Sequence, residues 1–107
     1  IFATSRRPDA VFVANDHMAF AVMDVLRFEL GLRVPEDVSV VGFDDVPPAA
    51  WPAYNLTSFR QRVEQMVAET VAMLLARIDG DESGSPHVVL GGELIIRGST
   101  RRYGDAR

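Results

Sequence analysis

Short unbroken apolar runs alternate with longer runs of helical periodicity in the first half of the chain. Residues 10–14 and 38–43 are apolar with little alternation, which is typical of strands covered on both faces of a parallel sheet. Between them, apolar residues recur with helical spacing over residues 16–30, and Gly31 follows as a C-cap residue. A strand, a helix and a strand joined by short links predict a right-handed, parallel βαβ unit.

The second half of the chain adds one more helix and several short strands. Residues 56–59 predict a short strand, and residues 62–78 keep near-perfect i, i+3/i+4 apolar spacing, which predicts a helix. Residues 87–90 and 93–97 predict two strands separated by a pair of glycines, and residues 101–107 predict a frayed tail. The whole pattern predicts an α/β fold built on a parallel sheet.

The first predicted helix is apolar over more than half of its circumference. Its main stripe includes Met18, Val22 and Val25, and further apolar residues widen it. A helix with one buried side carries a narrower stripe, so we expect burial on a second side, such as a subunit interface. Trp51 lies in a proline-rich loop over residues 46–55, where packing or an interface is its expected role.

Polar side chains follow directly after both predicted buried strands. Asn15 and Asp16 follow the first strand, and Asp44 and Asp45 follow the second. Ligands of open parallel sheets bind beyond the carboxyl ends of the strands, and these side chains offer hydrogen bonds suited to sugars or nucleobases. For Asp16 the favoured role is the N-cap of the helix. For Asn15 and Asp44, the pattern leaves a ligand contact and a simple chain turn equally open.

An enzyme is the alternative from another class of protein. Asp44 and Asp45 together could hold Mg²⁺, as carboxylate oxygens do in α/β domains that handle phosphates. The sequence contains no Gly-rich phosphate loop, no G-K-[ST] and no H-x-E pattern, and the contexts of His17 and His87 are those of surface residues. We therefore expect no catalysis, no metal site and no cofactor.

Composition and charge narrow the class of partner. The chain has 107 residues, a formal net charge of −4 and no cysteine, so it holds one core and neither disulfides nor thiolate metal sites. An acidic domain is a poor binder of nucleic acid, and no apolar run approaches the ~20 residues that cross a membrane. The chain opens on Ile1 without a methionine, which leads us to expect a piece of a longer protein.

Four blocks of the sequence resemble the lactose-repressor (LacI/GalR) family. Residues 9–19 are similar to its segment P-x-A-[VI]-F-x-x-N-D-x-M-A, and residues 31–45 match its next block almost residue for residue. Residues 56–61 resemble its L-T-T-[IV]-x-Q, and residues 94–100 resemble its L-x-x-R-x-S-T. The blocks keep the family's order and cover nearly the whole chain.

The resemblance implies a partial α/β, parallel-sheet, periplasmic-binding-protein-like (type I) fold. It assigns residues 1–60 to the end of the C-terminal lobe, residues 61–100 to a segment that returns to the N-terminal lobe, and residues 101–107 to a tail. It implies a cytoplasmic transcriptional repressor that senses a small-molecule effector, sugar or nucleoside-like, in a cleft between lobes. The family acts as homodimers or higher oligomers and binds DNA through a helix-turn-helix that lies outside this chain. A periplasmic sugar-binding protein of a transporter stays open as an alternative, although residues 31–45 favour regulation.

The resemblance also implies roles for single residues. Asn15 and Asp44 match positions that hydrogen-bond the effector, and Gln61 matches a position near the crossover between the lobes. Further candidate ligand contacts are Asp16, Val63 and Met66. The expected dimer interface includes Met18, Val22, Val25 and Trp51. In the family, the helix over residues 62–78 packs onto the N-terminal lobe, so we expect this chain to cover that helix by self-association or by different packing.

Overall fold

The computed structural model describes residues 1–2, 4–81, 84 and 87–102. Their strands and α-helices are, in chain order, β1 (Ala10–Phe12), α1 (Asp16–Asp24), β2 (Ser39–Phe43), β3 (Thr57–Gln61), α2 (Val63–Ile78) and β4 (Gly92–Ile95). The chain divides into two compact units, the first from the described residues of Ile1–Arg60 and Leu94–Arg107, the second from those of Gln61–Glu93. The assignment of segments to lobes of a larger protein stays a prediction.

The strands form one sheet in the order β1-β2-β3-β4. β1 and β3 both run parallel to β2, with Val11 opposite Val40 and Phe43 opposite Phe59. This confirms the predicted parallel arrangement of the first two strands around a crossover helix. Because the three strands run in the same direction, their carboxyl ends lie at the same edge of the sheet, where ligands bind in open α/β folds.

α1 covers one face of the sheet and forms the core of the first unit with it. The buried apolar side chains of this core are Val13, Ala19, Phe20, Met23, Leu26, Val34, Val38, Val40, Ala49 and Leu56. On the opposite face, Phe12 is 64% exposed and Val41 is half-buried. The expectation of strands covered on both faces is therefore wrong for this chain, because the single crossover helix of a βαβ unit covers one face.

The first helical segment ends where the sequence predicts. α1 continues as a wider π-type turn over Val25–Glu29, and Leu30 closes it. Gly31 follows with a φ of 64°, in the left-handed region that glycine adopts without steric strain. The prediction of a helix over residues 16–30 with a glycine stop is confirmed.

The carboxyl-terminal segment is held against the first unit beyond residue 100. The backbone N–H of Arg101 donates to Ser39 Oγ at 3.1 Å, and its guanidinium lies 3.7 Å from the carboxylate of Asp9. The prediction of a frayed tail from residue 101 onward is therefore wrong at Arg101, because a backbone hydrogen bond and a charge contact fix this residue. Residues 103–107, the rest of the predicted tail, lie outside the described residues.

The second unit consists mainly of α2, which begins one residue later than predicted and ends at the predicted Ile78. None of its residues is buried, although its apolar side chains keep helical spacing. A 16-residue helix is marginally stable alone in water, and packing of its apolar face supplies most of a helix's stability in proteins. Among the described residues, no helix is both long and apolar enough to cross a bilayer.

The strand predicted over residues 87–90 is wrong. These residues have no regular structure, and β4 begins at Gly92 and ends at Ile95, so it is shorter than the predicted strand over residues 93–97. Val89 is almost fully exposed. High β-propensity forms a strand only where side chains meet cross-strand neighbours, and Val89 meets little of the protein.

Candidate functional site

The predicted site residues lie in two places. Asn15 and Asp44 belong to the first unit and follow the carboxyl ends of β1 and β2, at the same edge of the sheet. Gln61 is the last residue of β3 and belongs to the second unit.

Asn15 is the N-cap of α1. Its backbone is extended, with φ −152° and ψ 164°, and its side-chain oxygen accepts from the backbone N–H of Met18 at 2.9 Å. This is the arrangement that satisfies an orphan N–H in the first turn of a helix. The expectation that Asp16 caps α1 is therefore wrong, because the helix begins one residue earlier than the cap assignment required.

Asp16 is the first helical residue, and its carboxylate is fully buried. Oδ1 accepts from the hydroxyl of Ser58 at 2.7 Å, and Oδ2 accepts from the backbone N–H of Val46 at 2.9 Å. Burial of a carboxylate is costly unless hydrogen bonds satisfy its oxygens, and here both oxygens are satisfied. The positive end of the α1 dipole also stabilises the negative charge of this carboxylate.

Asp44 and Asp45 form a turn with unusual backbone angles. Their φ values are 120° and 57°, a region that side-chain-bearing residues rarely adopt. The N–H of Asp44 donates to the Phe59 carbonyl at 3.0 Å, and that of Asp45 donates to Ser58 Oγ at 3.0 Å. The N–H of Val46, the next residue, donates to Asp16 Oδ2. Surrounding structure thus holds the turn in a strained conformation, as is common at binding sites, and the Asp44 side chain lies at the surface.

Asp45 has a different role from its neighbour. Its side chain is 3% exposed, and its oxygens lie 2.6 Å from Arg97 Nη1 and 2.7 Å from Arg60 Nη2. Burial raises the pKa of this carboxyl, but the guanidinium groups of Arg97 and Arg60 outweigh it and hold the pKa below its ordinary value. Arg97 Nη1 also donates to the Leu56 carbonyl at 2.7 Å, so Asp45 joins the turn to β3 and to the carboxyl-terminal segment.

This ion-pair arrangement bears on the alternative of a magnesium enzyme. A metal bound by both Asp44 and Asp45 would have to displace two guanidinium groups from Asp45. Within the part of the chain that the structure describes, no three His, Asp or Glu side chains are grouped as metal ligands. The geometry therefore favours a structural role for Asp45.

Sequence reasoning missed the residues that support the site. Ser58 and Arg97 fix the turn, while Ser99 joins two strands: its hydroxyl donates to the Val40 carbonyl at 2.6 Å and accepts from the Thr57 N–H at 2.8 Å. Ser58, Arg97 and Ser99 all fall inside the blocks that resemble the LacI/GalR family. Those blocks include the three residues but do not indicate their hydrogen-bond partners, several of which lie more than 40 residues away in the sequence.

In the second unit, Gln61, Val63 and Met66 line one apolar pocket of about 380 Å³ on α2. The other lining residues are Val67, Thr70 and Val71. The three predicted residues of this unit therefore share one surface. Its apolar walls suit contact with the carbon skeleton of a ligand or with another protein surface.

The predicted dimer-interface residues lie on and beside α1. Met18, Val25 and Trp51 are exposed, whereas Val22 is half-buried and packs against the core. The loop that carries Trp51 is fixed to the π-type turn that continues α1, because Arg27 Nη1 donates to the Ala53 carbonyl at 2.6 Å. Their role as an interface stays a prediction.

Comparisons with known proteins give the chain its family. The model of the periplasmic binding protein-like domain matches residues 2–100. The lactose operon repressor of Rhizobium radiobacter is 35% identical over 102 residues, a match that covers 95% of this chain and 88% of that protein. The chain spans 26–30% of the length of other curated relatives, including the probable repressor ExuR of Bacillus subtilis and the regulator CelR of Thermobifida fusca.

Two solved structures extend the likeness to the fold. The complex of the transcriptional regulator CelR with cellobiose is 43% identical with a TM-score of 0.77, over 85% of this chain and 28% of that chain. The lac repressor dimer bound to operator and the anti-inducer ONPF is 34% identical with a TM-score of 0.77, over 87% of this chain and 32% of that chain. These relatives are transcription regulators rather than enzymes or transporter proteins. The chain therefore belongs to the LacI/GalR family of transcription regulators and carries part of its periplasmic binding protein-like domain.

Proposed function

We propose that this chain is the effector-sensing part of a LacI/GalR transcriptional repressor and that Asn15 and Asp44 contact the effector. The observation that carries the proposal is the turn after β2, which holds Asp44 in a strained conformation at the ligand edge of the sheet. Asn15 follows the neighbouring strand at the same edge. The cellobiose-bound relative supports a sugar as the class of effector.

The hydrogen bonds of the turn favour a neutral, hydroxyl-rich effector. All three backbone N–H groups from Asp44 to Val46 donate to protein acceptors, so the turn does not form the ring of N–H groups that binds phosphate. The Asp44 carboxylate accepts hydrogen bonds from hydroxyl or ring N–H groups. Asn15 uses its side-chain oxygen in the helix cap, which assigns its amide NH₂ to the role of donor. A sugar or nucleoside hydroxyl satisfies both groups.

The pocket on α2 supplies the second part of the proposal. Gln61 offers an amide to a ligand in this pocket, and Val63 and Met66 offer apolar contact to carbon atoms there. Asp16 is not a direct contact in this proposal, because the protein occupies both of its carboxylate oxygens. The effector changes DNA affinity by stabilising one of two arrangements of the whole protein, which requires the parts of the regulator outside this chain.

We propose that the regulator works in the cytoplasm as a dimer or higher oligomer. The lac repressor dimer bound to operator supports this assembly. Met18, Val22, Val25 and Trp51 form the proposed interface, since three of them expose apolar surface on or beside one helix. DNA contact is assigned to a helix-turn-helix outside this chain, in keeping with the chain's net charge of −4.

A thermal-shift screen tests the class of effector. The panel contains cellobiose and other neutral sugars, nucleosides, and the matching sugar phosphates, each at millimolar concentration. Binding to the native state raises the melting temperature. A ligand concentration of 100 times Kd adds about 2.7 kcal/mol to the free energy of unfolding. We expect neutral hydroxylated compounds to raise the melting temperature and the matching phosphates to raise it less. A response confined to phosphorylated compounds would contradict the proposed class.

A further inference from the structure

The buried carboxylate of Asp16 joins three segments of the first unit. It belongs to the first turn of α1, and it accepts from Ser58 of β3 and from the Val46 N–H in the loop after β2. Ser58 Oγ in turn accepts from the N–H of Asp45. The carboxylate therefore connects the helix that begins after Asn15 with the turn that carries Asp44.

Two of the three hydrogen bonds that the backbone N–H groups of this turn donate depend on Asp16. One is the direct bond from the Val46 N–H. The second is indirect: Ser58 donates its hydroxyl proton to Asp16, which turns a lone pair toward the N–H of Asp45. The third bond, from the Asp44 N–H to Phe59, does not involve the carboxylate. A side-chain-bearing residue at a φ of 120° relaxes toward common angles when such restraints are removed.

The packing around the carboxylate is matched to it. A Cβ atom at Gly42 would overlap Asp16 Oδ1 and would lie 2.9 Å from Leu56 Cδ2. Glycine on β2 therefore makes the space that the carboxylate occupies. Together with its complete burial, this space shows that the group faces protein rather than a ligand.

We infer that Asp16 is the positioning residue of the effector site, which sets the Asp44 turn relative to the Asn15 cap without touching the effector. This inference rests on the proposed function, because it assigns the effector contacts to Asn15 and Asp44. It differs from a purely structural role in one respect. A structural carboxylate stabilises the whole unit, whereas a positioning carboxylate acts on affinity through Asp44.

Amide hydrogen exchange on the ¹⁵N-labelled full chain tests the positioning directly. In Asp16→Ala, we expect the amides of Asp45 and Val46 to exchange roughly tenfold faster relative to that of Val40, the scale of one lost hydrogen bond. Val40 is a fair reference, because its N–H donates to the carbonyl of Ser99, which lies outside the Asp44 turn. Ser58→Ala, a smaller change, should accelerate exchange at Asp45. Equal acceleration of all three amides, or none at the turn, overturns the inference.

A double-mutant cycle with cellobiose as the probe separates the inference from the proposed function. Asp16→Ala should weaken cellobiose roughly tenfold, the lower end of losses from supporting residues, and should have no further effect in an Asp44→Ala background. Met23→Ala, which lowers stability through the core, should leave affinity unchanged. If Asp44→Ala loses cellobiose and Asp16→Ala keeps it, positioning is wrong and the proposed site stands. If Asp44→Ala keeps full affinity, the proposed site is wrong, and the exchange experiment still decides whether Asp16 holds the turn.

Discussion

The two units of the chain differ in how much apolar surface they bury. The first unit has a buried core between α1 and the sheet, and buried polar groups such as Asp16 and Asp45 are paired inside it. The second unit is dominated by α2, which buries none of its residues. The first unit therefore fixes the proposed contacts Asn15 and Asp44 by itself, whereas α2 exposes an apolar face, and packing against that face would stabilise the helix.

This difference indicates which of the proposed ligand contacts are preorganised. Asn15 and Asp44 are fixed by bonds within one unit, so the chain alone determines their positions. Val63 and Met66 lie on an uncovered helix. We expect the first pair to keep its geometry without a partner, and the second pair to gain order when α2 is covered.

A matched pair of leucine truncations should give the largest contrast between the units. Leu26 is 1% exposed and Leu74 is 59% exposed, and each lies in a helical segment. Leu26→Ala should lower the free energy of unfolding by about 2–5 kcal/mol through lost burial and a cavity. Leu74→Ala should lower it by less than about 1 kcal/mol, because little burial is lost. Urea denaturation measures both, and an equal loss would show that α2 is covered in solution.

Removal of the Asp45 charge should give the next largest effect and a distinctive pH dependence. Asp45→Asn leaves the largely buried Arg97 without its carboxylate and should cost about 1.5–3 kcal/mol at neutral pH. Because the folded-state pKa of Asp45 is lowered, its contribution is complete above the unfolded pKa of about 3.9 and is lost as pH falls through the folded value. Unfolding curves of both proteins should converge in acid. A difference that stays constant into strong acid would exclude the ion pair as its source.

Two glycine substitutions, one in each unit, test the difference in packing between the units. Gly42→Ala places a Cβ against Asp16 and should destabilise by about 1–3 kcal/mol, as overpacking does. Gly91→Ala meets nothing within 4 Å and should change stability by less than about 0.5 kcal/mol. Thermal unfolding measures both variants. Comparable melting temperatures for Gly42→Ala and the wild type would mean that the space beside the Asp16 carboxylate accommodates a methyl group.

Self-association should show the smallest energetic effect. If α2 is covered by a second copy of the chain, light scattering after size-exclusion chromatography should give a mass above that of one chain. Leu74→Glu should then weaken association roughly tenfold or more while changing monomer stability by less than about 0.5 kcal/mol. Met18→Glu tests the rival surface on α1 in the same way. A well-folded monomer at all concentrations would contradict this idea.

Local patterns allowed the strand ends and helices to be predicted, because each depends on neighbouring residues. Apolar runs that stop at Asn15 and Asp44 place both at the ligand edge, and the spacing over residues 62–78 gives α2 nearly to the residue. The partner of Asp16 could not be predicted, since Ser58 lies 42 residues away and a lone serine in a strand carries no signal. The cap was misassigned because Asn and Asp are nearly equal as N-caps, so adjacent Asn15 and Asp16 could not be ranked.

The most direct test of the central claim is a calorimetric titration of the chain with cellobiose, in the wild type, Asp44→Ala and Glu36→Ala. Glu36 is an exposed acidic residue in the turn before β2, away from the carboxyl ends of the strands, so its variant controls for loss of charge. If Asp44 contacts the effector, Asp44→Ala should weaken binding roughly 10- to 100-fold, as expected for a lost hydrogen bond to a charged group, and Glu36→Ala should not change it. Equal affinity in all three proteins would contradict the assignment of the effector site.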